Sequence, residues 1–150
     1  SQQEIATYRR DGQVTPGWQL PDDLLESIRS ALSRRLLLHG DEQPDFIPLP
    51  HVATDDMHGE AVDVAREFFN IVSHQALLDL AEALIGSDIV MWASALFCKP
   101  AATGLEVPWH QDGQYWPIRP RATTTVWIAL VDVGAANGCV RVVPGCHRMR

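Results

Sequence analysis

His110 and Asp112 are the residues whose types and spacing point most directly to chemistry. They sit in Trp109-His110-Gln111-Asp112-Gly113, an imidazole and a carboxylate with one residue between them. If this segment is extended, side chains at i and i+2 leave the same face of the strand. One rigid strand then offers a neutral nitrogen and an anionic oxygen to a single metal ion. That is two thirds of the 2-His-1-carboxylate arrangement that holds Fe(II) in non-haem oxygenases and leaves positions open for chemistry. A bare H-x-D is common by chance, and alone it is better explained by a buried histidine beside a turn aspartate. The flanking sequence tips the balance towards metal.

From Val107 to Pro120 the chain reads VPWHQDGQYWPIRP, from Thr123 to Val131 TTTVWIALV, and from Asn137 to Arg148 NGCVRVVPGCHR. This order resembles the phytanoyl-CoA dioxygenase family of Fe(II)/2-oxoglutarate oxygenases. Its members show a W-H-Q-D-G-x-Y-W-P block, a strand ending W-x-A-L-x-D, and an N-G-x-x-R-x-x-P-G-[ST]-H block. Leu96-Phe97-Cys98-Lys99-Pro100 and, more loosely, Tyr8-Arg9-Arg10-Asp11-Gly12 extend the resemblance over nearly the whole chain. Two departures stand out. Cys146 replaces the usual Ser or Thr, and the sequence stops at Arg150, just after the P-G-x-H block.

The resemblance implies that His110 and Asp112 ligate Fe(II), with 2-oxoglutarate and O2 as cosubstrates. The reaction implied is hydroxylation of a small molecule with release of succinate and CO2. Because Asp112 keeps the carboxylate that halogenating relatives lack, hydroxylation is expected over halogenation. Trp127 occupies a position near the cosubstrate in the family, although a core tryptophan fits nearly as well. Thr125, in a run of three threonines, and Lys99, before Pro100, are further cosubstrate candidates. β-propensity alone explains the threonines, and a solvated lysine explains Lys99. Gln111, Tyr115, Trp116 and Arg119 flank the pair and are candidates for the substrate mouth. Tyr115 and Trp116 bring apolar faces with polar handles. Arg119 suits a carboxylate or phosphate, or is a structural residue between two prolines. On a regular strand Gln111 faces away from the metal.

The family's second iron histidine and its 2-oxoglutarate arginine normally follow later in the chain. His147 is the single histidine after Asp112; it matches the P-G-x-H position and is expected to be a turn residue. The sequence is therefore expected to be the N-terminal part of an oxygenase. The alternatives are a non-catalytic relative or fragment without a complete metal site, and a different jelly-roll protein that completes its site with His147 or a second subunit. His51 and His58, in a proline-rich loop, are remote metal alternatives; surface histidines explain them, as they do His39 and His74.

The elements that must position these residues are legible by period. Residues 1–19 suggest a short polar helix ending at Gly12, then a strand or loop. Pro21 with Asp22 and Asp23 suits a helix start. Leu24, Leu25, Ile28, Leu32 and Leu36 continue that helix, and Gly40 stops it. Residues 41–58 carry three prolines and no period, which predicts a loop. Ala61, Ala65, Phe68 and Val72 mark a second helix. A third, capped by Ser73 and closed by Gly86, carries Leu77, Leu80, Ala81 and Leu84. Ile89–Phe97, Trp109–Asp112, Thr123–Val131 and Cys139–Val143 are expected to be strands, Ala101–Gly104 a flexible loop and Asn137-Gly138 a tight turn. The fold class is α+β, in one domain over 1–150, mainly helical over 1–86 and mainly strand over 87–150. The resemblance implies that the helices pack on part of a double-stranded β-helix, a jelly-roll barrel.

Composition sets outer bounds. A chain of 150 residues with 46% hydrophobic content can bury a core. The net charge of −7 argues against a nucleic-acid surface. No run is long and apolar enough to span a bilayer. Three cysteines without C-x-x-C make neither a disulfide framework nor a zinc knuckle. The expected setting is cytoplasmic, with a small-molecule substrate and neither nucleic acid nor membrane as partner.

Overall fold

The structure is a computed structural model describing residues 1–40, 44–120 and 122–149. Five helices and a two-stranded antiparallel sheet are described, in the order α1 (Gln2–Asp11), α2 (Asp22–Leu37), β1 (Phe46–Pro48), α3 (Glu60–Val72), α4 (Gln75–Ile85), β2 (Ala95–Phe97) and α5 (Asp112–Tyr115). Helices with a small sheet agree with the α+β expectation. The chain divides into two compact units. One comprises residues 20–78 and 90–106; the other comprises residues 1–19, 79–89 and 107–150, so the boundary falls within α4.

The first unit holds the buried core. Ile28 and Ala31 of α2, Ile47 of β1, Val64, Ala65, Phe68 and Ile71 of α3, and Leu77 are its buried apolar side chains. Helices α2 and α3 pack together because each presents apolar residues at three- and four-residue spacing. Polar edges tie the same pair: Arg34 bridges Glu60 at 3.0 Å and also Glu67, and Ser27 Oγ donates to Glu67 Oε1 at 3.1 Å. The sheet pairs Phe46 with Phe97, Ile47 with Leu96 and Pro48 with Ala95. Asp45 extends that pairing, its carbonyl accepting from Cys98 N–H at 2.9 Å and its carboxylate from Leu105 N–H at 2.9 Å.

Helices α1 to α4 fall where the period places them. Helix α1 closes on Gly12, in the left-handed region at φ 78°, whose N–H returns to Tyr8 O at 2.8 Å. Ser73 departs from expectation. Its hydroxyl bonds back to Phe69 O at 2.7 Å and finishes α3, while His74 opens α4 by accepting Ala76 N–H on Nδ1 and Leu77 N–H on its carbonyl. The loop expected over 41–58 contains β1; its residues 41–43 lie outside the described ones.

The strands expected over 109–112, 123–131 and 139–143 are not strands among the described residues, and 89–97 keeps only Ala95–Phe97. A strand needs a neighbour to take its N–H and C=O groups, and period alone does not supply one. Val126, Trp127, Val131, Val140, Val142 and Val143 remain exposed. The described residues from 87 to 149 are thus mostly irregular. Ala101–Gly104 is a bonded turn, with Gly104 N–H on Pro100 O at 2.8 Å. Asn137-Gly138 does form a turn: Asn137 ends a single 3₁₀ turn and Gly138 follows at φ 84°.

Candidate metal and active site

The H-x-D segment lies in the second unit, in irregular chain that leads into α5. Gln111 is extended, at φ −117° and ψ 127°, and Asp112 is the first residue of that short helix. The extended residue between them puts His110 and Asp112 on one side without any ladder. His110 Nε2 lies 3.2 Å from Asp112 Oδ1, with side chains 32% and 42% exposed.

Each donor is oriented through its other atom. His110 Nδ1 lies 2.7 Å from Pro108 O. A carbonyl only accepts, so Nδ1 carries a proton, and Nε2 is the nitrogen that faces Asp112. Thr125 Oγ1 donates to Asp112 Oδ2 at 2.9 Å, leaving Oδ1 on the histidine side. An imidazole nitrogen and a carboxylate oxygen at this distance can share a proton as an ion pair or converge on a metal ion. Adjacent donors on bonds of about 2.1 Å at right angles stand about 3.0 Å apart, so the spacing suits one metal ion. Support of each ligand by a carbonyl or hydroxyl is what metal sites use to fix tautomer and direction. Among the described residues no group of three His, Cys, Asp or Glu forms a metal cluster, so the protein donors described are these two.

The other expected site residues divide. Tyr115 sets its ring edge against His110, centroids 5.7 Å apart, and is itself exposed. Trp116 is half-buried and Arg119 is exposed, Arg119 donating to Ile118 O at 2.8 Å. Trp127 is 49% exposed, which excludes a fully buried core role. Gln111 Nε2 donates to Cys146 O at 2.6 Å and Met149 O at 3.4 Å, so its amide nitrogen serves a turn. Thr125 lies on the Asp112 carboxylate itself. Lys99 belongs to the first unit; its ammonium donates to Leu105 O at 2.7 Å and closes the 99–105 turn.

Two of the remaining histidines have other contacts. His147 packs against Gly12, where a Cβ would run into its ring. His51 bonds Ser94 Oγ at 2.6 Å, and burial pushes its imidazole below the usual range. Burial, with Asp45 nearby, raises the Cys98 thiol. Tyr8, donating to Thr124 Oγ1 at 3.0 Å, and Arg141, its guanidinium 5.4 Å from the Trp109 ring centroid, were not among the expected site residues. The available signal for Tyr8 was its place in the opening block; its partner, far along the chain, had none.

Comparison with known proteins adds the family. The family model described as phytanoyl-CoA dioxygenase matches residues 8–150. A probable phytanoyl-CoA dioxygenase of Caenorhabditis elegans is 34% identical over 87 residues, covering 53% of this chain and 28% of the relative. An ectoine dioxygenase of Sphingopyxis alaskensis is 29% identical over 97 residues, covering 62% and 30%. An L-proline trans-4-hydroxylase of Streptomyces griseoviridis is 27% identical over 143 residues, covering 92% and 52%. The chain thus spans between about a quarter and a half of the length of these three relatives. No solved structure gives a significant match.

Proposed function

This chain belongs to the phytanoyl-CoA dioxygenase family, and from that premise we propose that it is the metal-pair-bearing part of an Fe(II)/2-oxoglutarate-dependent hydroxylase of a small molecule. The observation that carries the reading is the His110–Asp112 pair, two donors 3.2 Å apart, each steered by a second bond. Names among the relatives, dioxygenases and a hydroxylase, support the reaction class. The substrates in those names differ in size and charge, so the small-molecule class is as far as the reading extends.

His110 Nε2 and Asp112 Oδ1 would hold the iron, which when bound with 2-oxoglutarate supplies the power to oxidise an unactivated C–H bond. The protein's own residues do the positioning. Pro108 O keeps the His110 proton on Nδ1, so Nε2 stays available as a donor. The Thr125 hydroxyl takes one carboxylate oxygen and keeps the other aimed at the metal. Tyr115, edge-on to His110, and Trp116 would give a substrate an apolar wall beside the pair, and Arg119 would meet an anionic group. Trp127 would wall the cosubstrate. Lys99 already serves its own turn, which makes it the weakest of the cosubstrate candidates.

The test is succinate formed from 2-oxoglutarate in the presence of Fe(II), O2 and a panel of small amino acids, osmolytes and acyl-CoA thioesters. In any active form of the protein, Asp112→Ala abolishes succinate release. Hydroxylation retained by that variant overturns the site, and an iron-loaded protein that never turns over points to a non-catalytic relative.

A further inference from the structure

We propose that helix α1 is the fixed point from which the metal pair is held, with Tyr8 and Gln111 as positioning residues on two arms; this rests on the metal-binding reading above. The first arm starts at Tyr8, whose hydroxyl donates to Thr124 Oγ1 at 3.0 Å. The next residue, Thr125, donates to Asp112 Oδ2 at 2.9 Å. Neighbouring threonines thus join α1 to the metal carboxylate, and a shift of their backbone moves it.

The second arm starts at the C-terminal end of α1. The last carbonyls of a helix lack partners within it. Here Gly145 N–H donates to Asp11 O at 2.8 Å and the Arg148 guanidinium to Arg9 O at 2.7 Å. Cationic groups are favoured at that end by the helix dipole. The close seat of His147 on Gly12 fits because Gly12 has no Cβ and adopts φ 78°. The P-G-x-H block is in this way a latch on α1, which gives His147 a structural place. The latched turn presents the Cys146 and Met149 carbonyls to Gln111 Nε2. Gln111 is extended and lies between the two ligands, so pinning its side chain on one side orients His110 and Asp112 on the other.

Both arms end on a pair that no β-ladder supports among the described residues. An exposed pair whose rotamers are free must be ordered when metal binds, and that entropy cost lowers affinity. Fixing the two ligands from a helix removes part of it.

Two measurements on the 150-residue protein test this: Mn(II) affinity by titration of the free-ion EPR signal, and the imidazole ¹⁵N–¹H spectrum of His110 without metal. Tyr8→Phe and Gln111→Leu are compared with wild type, with thermal unfolding followed alongside. The expected result is metal binding about tenfold weaker in each folded variant, the scale of a lost ligand support. Gln111→Leu also turns a single Nδ1–H form of His110 into an average of tautomers. A lower unfolding midpoint with affinity and spectrum unchanged would leave these residues merely structural and overturn the proposal. If wild type binds no Mn(II), the metal reading fails, and the His110 spectrum of Gln111→Leu alone decides the positioning: averaging upholds it, no change overturns it.

Discussion

One hydroxyl separates two readings of Thr125. As a sequence feature it was a candidate for the cosubstrate; in the structure its Oγ1 lies on Asp112 Oδ2. Thr125→Val keeps shape and loses the donor, so metal affinity is expected to fall about tenfold, whereas Thr125→Ser restores it; a competitive metal titration checks both. The sequence singles out His110 and Asp112 as the proposed pair because ligand chemistry is written in residue types and in a two-residue spacing, and the structure sets the two side chains 3.2 Å apart. What orients them was not legible. The Pro108 carbonyl, the Thr125 hydroxyl and the turn that holds Gln111 are relations between atoms distant in sequence or on the backbone, and residue types carry no trace of them.

Helices were legible for a different reason. An apolar stripe at helical spacing buries itself against one neighbour, as Val64, Ala65, Phe68 and Ile71 of α3 do in the unit shared with α2. Truncating Phe68→Ala in that packed face is expected to destabilise the protein by about 3–5 kcal/mol, read by urea unfolding. Helix ends were mostly legible too, since Gly12 closes α1 as its type suggests; Ser73 misled because its hydroxyl bonds backwards to Phe69 O instead of forwards. Gly12→Ala forces a side chain into left-handed backbone, at about 1–2 kcal/mol, with a collision against His147 in addition. Its unfolding midpoint should drop accordingly. Strands were the failure. Thr123–Val131 and Cys139–Val143 have the composition of strands, but a ladder is made with a partner, and pairing is not encoded in either segment alone.

At the scale of the molecule, burial is uneven. Every buried apolar side chain among the described residues lies between Ile28 and Leu77, in the unit built on α2, β1 and α3. Amides of α2 and α3 should therefore exchange with solvent far more slowly than those of residues 107–149, because protection follows buried contact. Equal protection in both would show that the site unit has a core of its own. Among the described residues no helix is long and apolar enough to cross a membrane. The family was legible from the sequence, since order and spacing of whole blocks are rarer than any one motif; the barrel implied by that resemblance is not formed by the described residues. The measurement that tests the central claim most directly is anaerobic addition of Fe(II) and 2-oxoglutarate to the protein, watching for the visible charge-transfer band of the chelated cosubstrate. A metal pair at His110 and Asp112 gives the band in wild type and loses it in both His110→Ala and Asp112→Ala. A folded wild-type protein whose spectrum matches that of the two variants would contradict it.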